Sequence, residues 1–135
     1  MNKSLEIVTL EPVETFCLVA EGGPETFPNT FQRLEDIVPL KGHRFYGLFN
    51  RDDGSYRACV QPKGEDDTVT WGLESFTIPG GRYAYRKITG EHDELSRQIP
   101  SVFEELAAAH EVDPGRPSIE FYRRLDEFRL YLPVR

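Results

Sequence analysis

The stretch Ile78-Pro79-Gly80-Gly81-Arg82-Tyr83-Ala84-Tyr85-Arg86 repeats the pattern of an earlier one, Glu11-Pro12-Val13-Glu14-Thr15-Phe16-Cys17-Leu18-Val19. A proline, two large side chains at alternate positions and a closing glycine recur at one constant offset. Alternating large side chains are typical of strands, and the closing glycine is typical of a turn. Each stretch precedes an amphipathic helical pattern, where Phe31/Leu34 of the first half correspond to Phe103/Leu106 of the second. The repetition predicts a chain built from two similar halves.

Each half then closes with two short strands. In the first half, segments 44–49 and 56–60 flank a turn with the step Asp53-Gly54, a strong hairpin signal. In the second half, segments 117–122 and 128–133 flank a turn at 125–127. The predicted fold is α+β, with two β-α-β-β repeats about a pseudo-twofold axis, an antiparallel sheet and two main helices.

These repeats form one predicted domain over residues 1–135, with repeat one at about 5–62 and repeat two at about 70–134. The acidic connector 63–68 is interpreted as a solvated turn, and the segment 69–78 is expected to add a strand. Pro100 is expected in the first turn of the second helix or at a kink, because its ring opposes an interior position.

Composition limits the classes of partner. The chain has 135 residues and a formal net charge of −7, with a pI near 5.0. This acidity argues against direct nucleic-acid binding and against an anionic membrane surface, because both depend on Lys and Arg. The N-terminus lacks the apolar core of a secretory signal, and no stretch approaches a membrane span. A cytoplasmic protein is predicted.

The two cysteines, Cys17 and Cys59, each lie in an apolar, strand-like run. They lack the paired spacing of a zinc site. A disulfide is an alternative, but buried free thiols in a reducing compartment are the favoured interpretation.

Common catalytic motifs are absent from the sequence. It contains no Gly-x-Ser-x-Gly elbow and no glycine-rich phosphate loop, and its histidines, His43, His92 and His110, are scattered. No metal site and no cofactor are therefore expected.

Glu120 stands out because it lies inside a predicted strand between Ile119 and Phe121, with Tyr122 on its own face. One interpretation is a half-solvated strand whose carboxylate faces water. The other is a carboxylate among aromatic rings, which is costly unless a cation neutralises it. Such a site would attract an aromatic cation through charge and cation–π contact.

Most phenylalanines fall at core-type positions, whereas the tyrosines and the tryptophan carry polar groups that suit a half-wet pocket. By strand parity, Tyr131 is expected on the side of Glu120 and Tyr122. The candidate ligand-binding residues are Glu120, Tyr122, Tyr46, Tyr131, Trp71 and Tyr85, and Glu120 and Tyr122 are the catalytic candidates if the protein is an enzyme.

Three segments, together with the amphipathic helix that follows the first of them, resemble the GyrI-like small-molecule-binding domains, the effector-binding domains of AraC- and MerR-type regulators. They are Ile78–Ala84, Arg116-Pro117-Ser118-Ile119-Glu120-Phe121-Tyr122 and the terminal Leu130-Tyr131-Leu132-Pro133-Val134. The resemblance covers nearly the whole chain. It implies two β-α-β-β modules with a ligand groove between them, and a strand glutamate, here Glu120, that contacts cationic or amphipathic aromatic ligands.

Unlike those regulators, this sequence has no room for a helix-turn-helix domain, so a stand-alone binder that sequesters or senses drugs or toxins is the first functional prediction. Some stand-alone relatives resemble hydrolases of strained genotoxic electrophiles. In that alternative Glu120 is the general base, and Tyr122 or Tyr131 donates a hydrogen bond to the departing oxygen. A third alternative, by family analogy, is an inhibitor that binds a topoisomerase-like protein partner.

Overall fold

A computed structural model describes residues 6–38, 43–62 and 71–135. The strands are β1 (Ile7–Leu10), β2 (Val13–Val19), β3 (Arg44–Phe49), β4 (Tyr56–Gln61), β5 (Glu74–Ile78), β6 (Gly81–Thr89), β7 (Ser118–Arg124) and β8 (Glu127–Pro133). The helices are α1 (Phe27–Ile37) and α2 (His92–Ala109). The predicted β-α-β-β order is confirmed in both halves, and an additional strand precedes each unit. The predicted connector 63–68 lies outside the described residues.

The strands form one antiparallel sheet in the order β1-β6-β8-β7-β3-β4-β2-β5. Exchanging each strand for its counterpart in the other half reverses this order, so a pseudo-twofold axis passes between β7 and β3. Gly47 pairs with Ala58, and Glu120 pairs with Leu130. Tyr56-Arg57 of the first half corresponds to Phe128-Arg129 of the second, which aligns Ala58 with Leu130. Gly47 and Glu120 therefore occupy equivalent positions.

Short connections make the sheet curl. Only Glu11 and Pro12 separate β1, at one edge, from β2, which lies beside the other edge. Two residues likewise separate β5 from β6, and Gly81 at this junction has a φ of 128°, which favours glycine. Since these connectors span little distance, opposite edges of the sheet must approach each other. The result is a half-barrel with an inner face and an outer face.

Side chains from both edges fill part of the inner face. Val8 and Leu10 of β1 join Ile78 of β5 in one apolar cluster around the buried Tyr83. Burial of this cluster is a main reason for the curl, because it removes apolar surface of both edge regions from water.

Both helices lie on the outer face, which we call the helix face. α1 packs against β2 and β4 through Leu34, whereas α2 packs against β6 and β8 through Leu95, Val102 and Leu106. The helices therefore cover the two flanks of the sheet. The central strands β3 and β7 lie between them, and we call the region over these two strands, between the helices, the cleft.

The expectation that Pro100 lies in the first turn of the second helix was wrong. α2 begins at His92, where the Glu91 carboxylate accepts hydrogen bonds from the backbone N–H groups of Asp93 and Glu94. Pro100 therefore lies in the helix interior, at an exposed position. Within the described residues, neither helix combines the length and the apolar character needed to cross a membrane.

The preference for free thiols was also wrong. Cys17 and Cys59 lie directly opposite each other on β2 and β4, and they form a disulfide with their Cα atoms 4.2 Å apart. The antiparallel register brings them together, and register is not visible in the sequence around either cysteine. The pairing also removes the argument that placed the chain in a reducing compartment.

Candidate functional site

Glu120 lies at the centre of the sheet, on the helix face and between the two helices. Its neighbours across the strands are Leu130 on β8 and Gly47 on β3. The residue is half-buried, and Tyr122, two positions along β7, packs against both apolar clusters of the helix face. The carboxylate therefore lies where the α1 side and the α2 side of the structure meet.

Three side-chain oxygens converge above Gly47. A Cβ atom at this position would lie 2.5 Å from the Tyr56 hydroxyl, 2.8 Å from the Tyr122 hydroxyl and 3.2 Å from Oε1 of Glu120. The Tyr122 hydroxyl donates a hydrogen bond to Oε1 of Glu120, and the Tyr56 hydroxyl interacts with that of Tyr122. Because glycine has no side chain, this small volume is available to a polar cluster.

The electrostatics of the cluster are dominated by burial. Burial raises the pKa of the Glu120 carboxyl to about 7, and the hydrogen bond from Tyr122 opposes this only in part. Burial, followed by the charge of Glu120, also raises the pKa of Tyr56 and of Tyr122. Both phenols therefore remain neutral hydrogen-bond donors near pH 7. No cationic side chain within the described ranges contributes to the pKa of Glu120, so its ionised form is poorly neutralised by the protein itself.

Aromatic rings surround the two phenols. Tyr122 makes edge contacts with Phe31 of α1 and Phe128 of β8, each with ring centroids 5.0 Å apart. Tyr56 stacks on Phe27, the first residue of α1, at 4.2 Å. Rings from α1 and from both halves of the sheet thus enclose the carboxylate in a low-dielectric environment.

The start of α2 lies near α1 beside this site. His92 begins α2 and packs its ring edge-on against Phe128. It also lies close enough to Glu35 of α1 to influence the pKa of that carboxyl. Burial and the neighbouring Asp36 raise the pKa of Glu35, while His92 lowers it. A second carboxylate therefore lies where α1 and α2 approach each other.

The structure brings together only some of the residues predicted from the sequence. Glu120 and Tyr122 share the helix face as predicted, and Trp71 packs into the α1 cluster against Phe16 and His43, at the β2 side of that face. The expectation that Tyr131 shares the face of Glu120 was wrong. Leu130, not Tyr131, pairs with Glu120, so Tyr131 projects from the inner face, as do Tyr46 and Tyr85.

Sequence reasoning missed Tyr56 and Gly47. Tyr56 occupies the same repeat position as Phe128, a core-type position, so the sequence around it does not mark it as part of a polar site. Gly47 carried one signal, because a glycine inside a strand marks a close approach of other groups. Which groups approach it depends on the pairing of β3 with β4 and β7.

The comparisons with known proteins support the fold described above. The model of the GyrI-like small molecule binding domain family matches residues 3–135. The chain belongs to this family. No curated protein matches the sequence.

Solved structures show the same fold as this GyrI-like domain at low sequence identity. An integron cassette protein from the mobile metagenome of Vibrio cholerae has a TM-score of 0.79 at 15% identity, over 96% of this chain and 95% of its own. SAV2435 bound to tetraphenylphosphonium has a TM-score of 0.68 at 15% identity, over 96% and 93%. A hydrolase from Listeria innocua has a TM-score of 0.57 at 14% identity, over 96% and 90%.

Proposed function

We propose that this GyrI-like domain binds hydrophobic aromatic cations in the cleft between α1 and α2, with Glu120 as the neutralising anion. The observation that carries the proposal is a half-buried carboxylate whose described surroundings supply phenols and aromatic rings but no cation. A bound organic cation would compensate the burial of the charge, and the rings would add stacking and cation–π contact. The structural neighbour SAV2435 has been solved with such a cation, tetraphenylphosphonium.

A cationic ligand must compete with a proton for Glu120. Because burial raises the pKa of this carboxyl to about 7, the carboxylate is only half ionised at that pH. Affinity for a permanent cation should therefore reach a plateau above pH 8, fall as the pH drops through 7, and level off near pH 5 at the affinity of the protonated form, which Glu120→Gln mimics.

Calorimetric titration with tetraphenylphosphonium tests the proposal. At pH 8 we expect Glu120→Gln to weaken binding by about tenfold to a hundredfold, since a hydrogen-bonded charge contributes about 1.5–3 kcal/mol. The matched control is Glu104→Gln, which removes a carboxylate from the exposed surface of α2. Triphenylphosphine oxide, a neutral ligand with similar rings, should bind both variants as it binds the parent. Equal affinity of the parent and Glu120→Gln for the cation would contradict the proposal.

The same pKa supports hydrolysis of a strained electrophile as a second candidate. A carboxylate with a pKa of about 7 is well matched to general-base catalysis at neutral pH, and two phenols lie beside it. Glu120 would accept a proton from water as the water oxygen forms a bond to the strained carbon and the ring bond breaks. The electron pair of the broken ring bond would move onto a carbonyl oxygen conjugated to the ring, and Tyr56 or Tyr122 would donate a hydrogen bond to that oxygen. Tyr131, on the inner face, is too far removed for this role.

Mass spectrometry of a cyclopropane-containing electrophile before and after incubation separates the two candidates. Catalysis requires an added water in the product at many equivalents per protein, and loss of turnover in Glu120→Gln. Tetraphenylphosphonium should inhibit that turnover, because it would occupy the same cleft. Binding without product would leave sequestration or sensing as the function. Inhibition of a protein partner stays a prediction.

A further inference from the structure

The inner face carries a second cluster that the cation site does not use. Across β3 and β7, Tyr46 stacks on Phe121 with centroids 5.0 Å apart, and across β8 and β6, Tyr131 stacks on Tyr85 at the same distance. These residues lie on the opposite side of the sheet from Glu120, and Tyr46, Phe121 and Tyr131 belong to the apolar cluster of the inner face. All but Tyr46 retain partial exposure.

Basic side chains surround this aromatic row, although the chain as a whole is acidic. Lys87 and Arg129 pair across β6 and β8, next to Phe121, and Arg44 precedes Tyr46 by two residues on β3, so it shares the inner face. Lys87 and Arg44 are exposed. Arg129 is held by Glu127, whose Oε2 accepts a hydrogen bond from Nε at 2.9 Å. We call Arg44, Tyr46, Tyr85, Lys87, Arg129 and Tyr131 the basic mouth.

The tyrosine hydroxyls of the basic mouth lie near its guanidinium groups. Burial has the largest effect on the pKa of these phenols, and the positive charges oppose it: Arg129 lowers the pKa of Tyr85 and Tyr131, and Arg44 lowers the pKa of Tyr46. Burial raises the pKa of all three phenols, so at neutral pH they are hydrogen-bond donors and carry no negative charge. Two carboxylates also raise the pKa of Tyr85: Glu6, and Glu127, which is paired with Arg129.

The orientation of the rings also favours an anion. Rings stacked on each other across strands about 4.8 Å apart stand upright on the sheet, so their edges point outward. The edge of an aromatic ring carries partial positive charge, whereas its face carries partial negative charge. Upright rings, phenol donors and basic side chains therefore all complement negative charge on an apolar body.

We propose that the basic mouth of the inner face is a second ligand site, which takes small amphipathic aromatic anions bearing a sulfonate, carboxylate or phosphate group. The domain would then bind ligands of opposite charge on opposite faces of one sheet. The anionic group would contact Lys87, Arg44 and the hydroxyls of Tyr85 and Tyr131, since the Tyr46 hydroxyl already donates a hydrogen bond to Oε1 of Gln61. The apolar body would rest on the ring edges.

Fluorescence titration with 8-anilinonaphthalene-1-sulfonate, an aromatic anion, tests this site. The variant Arg44→Gln/Lys87→Gln removes two exposed charges, and we expect it to weaken binding at least fivefold. The control Arg51→Gln/Arg97→Gln makes the same charge change at exposed positions in the β3–β4 turn and on α2. Tyr131→Phe keeps the stacked ring but removes one donor, and should weaken binding about threefold or more. Added salt should weaken binding in the parent.

Independence from the cation site is part of the same test. Glu120→Gln and saturating tetraphenylphosphonium should leave the affinity for the sulfonate unchanged, so failure of one site is distinguishable from failure of the other. Displacement of the dye by tetraphenylphosphonium would overturn the proposal. An equal loss in the Arg51/Arg97 control would overturn it too, as would unchanged affinity in Arg44→Gln/Lys87→Gln. Thermal unfolding of each variant, with a transition as cooperative as that of the parent, ensures that the dye reports a folded site.

Discussion

Gly47 and Glu120 face each other across β3 and β7, and they are also equivalent residues of the two halves of the chain. The pseudo-twofold axis thus passes between a residue without a side chain and a carboxylate. If both halves carried glutamate here, two like charges would meet at the axis, which is costly in a low dielectric. If both carried glycine, the cleft would have no anion. The divergence at this one pair gives the duplicated fold a polar centre.

Adding a methyl group at Gly47 should disturb this centre directly. In Gly47→Ala, the new Cβ would overlap the Tyr56 and Tyr122 hydroxyls, so both rings must shift. We expect a loss of about 1–3 kcal/mol in the free energy of unfolding and at least tenfold weaker binding of tetraphenylphosphonium. Urea unfolding and calorimetry measure the two effects. Gly115→Ala, in an exposed loop, is the control, and a Gly47→Ala variant with parental affinity would contradict the assignment of the cleft.

The hydroxyl of Tyr122 should set the pH dependence of the site. Its hydrogen bond lowers the pKa of Glu120 against the larger effect of burial, so Tyr122→Phe should raise that pKa above its present value of about 7. The pH midpoint of cation binding should then move upward by about half a unit or more, as expected for loss of one charge-assisted hydrogen bond. Carboxyl chemical shifts from NMR would follow the same titration without ligand.

Tyr56→Phe is the matched control for that shift. The Tyr56 hydroxyl interacts with the Tyr122 hydroxyl, and no hydrogen bond from Tyr56 contributes to the pKa of Glu120. We expect a smaller change of midpoint in this variant. A larger change in Tyr56→Phe than in Tyr122→Phe would reverse the roles assigned to the two phenols.

The duplicated architecture could be predicted from the sequence because local patterns repeat. The alternation around Phe16 and Tyr83, the helical spacing of Phe31 and Phe103 and the turn at Gly54, whose φ is 75°, each depend on residues close in sequence. β1 was not predicted, because a strand of only four residues is too short to show a clear alternation of side chains. Its pairing partner, β6, is also distant in sequence.

The candidate site was only half predictable for a related reason. Glu120 and Tyr122 share a face by simple alternation, which the sequence contains. Tyr131 was placed wrongly, because the side on which a strand presents its odd positions depends on the register between β7 and β8. The same lack of register concealed Gly47, and it concealed the pairing of Cys17 with Cys59.

The disulfide between β2 and β4 should contribute strongly to stability. It closes a loop with a sequence separation of 42 residues, for which loss of chain entropy in the unfolded state predicts about 4 kcal/mol at most. We expect reduction to lower the free energy of unfolding by about 2–4 kcal/mol, measured by urea unfolding with and without a phosphine reductant. Cys17→Ser/Cys59→Ser should match the reduced parent and be insensitive to the reductant. Equal stability of the oxidised and reduced parent would show that the bond adds nothing.

The charge of Glu120 should cost stability in the absence of ligand. Its pKa is about 7 in the folded chain and near 4.5 when unfolded, so its favourable contribution is complete below pH 4.5 and is lost as the pH rises through 7. Glu120→Gln keeps the shape without the charge, and at pH 8 it should be more stable than the parent by on the order of 2 kcal/mol.

At pH 4.5 that difference should nearly vanish, because the parent carboxyl is then protonated in the folded state and half protonated in the unfolded state. Urea unfolding of both proteins at the two pH values measures it, and Glu104→Gln, at an exposed position, controls for the general effect of removing one negative charge. Binding of tetraphenylphosphonium should stabilise the parent most at pH 8, where the uncompensated charge is greatest. A Glu120→Gln variant less stable than the parent at pH 8 would mean that the carboxylate is already neutralised within the fold, and the argument for a cationic ligand would lose its physical basis.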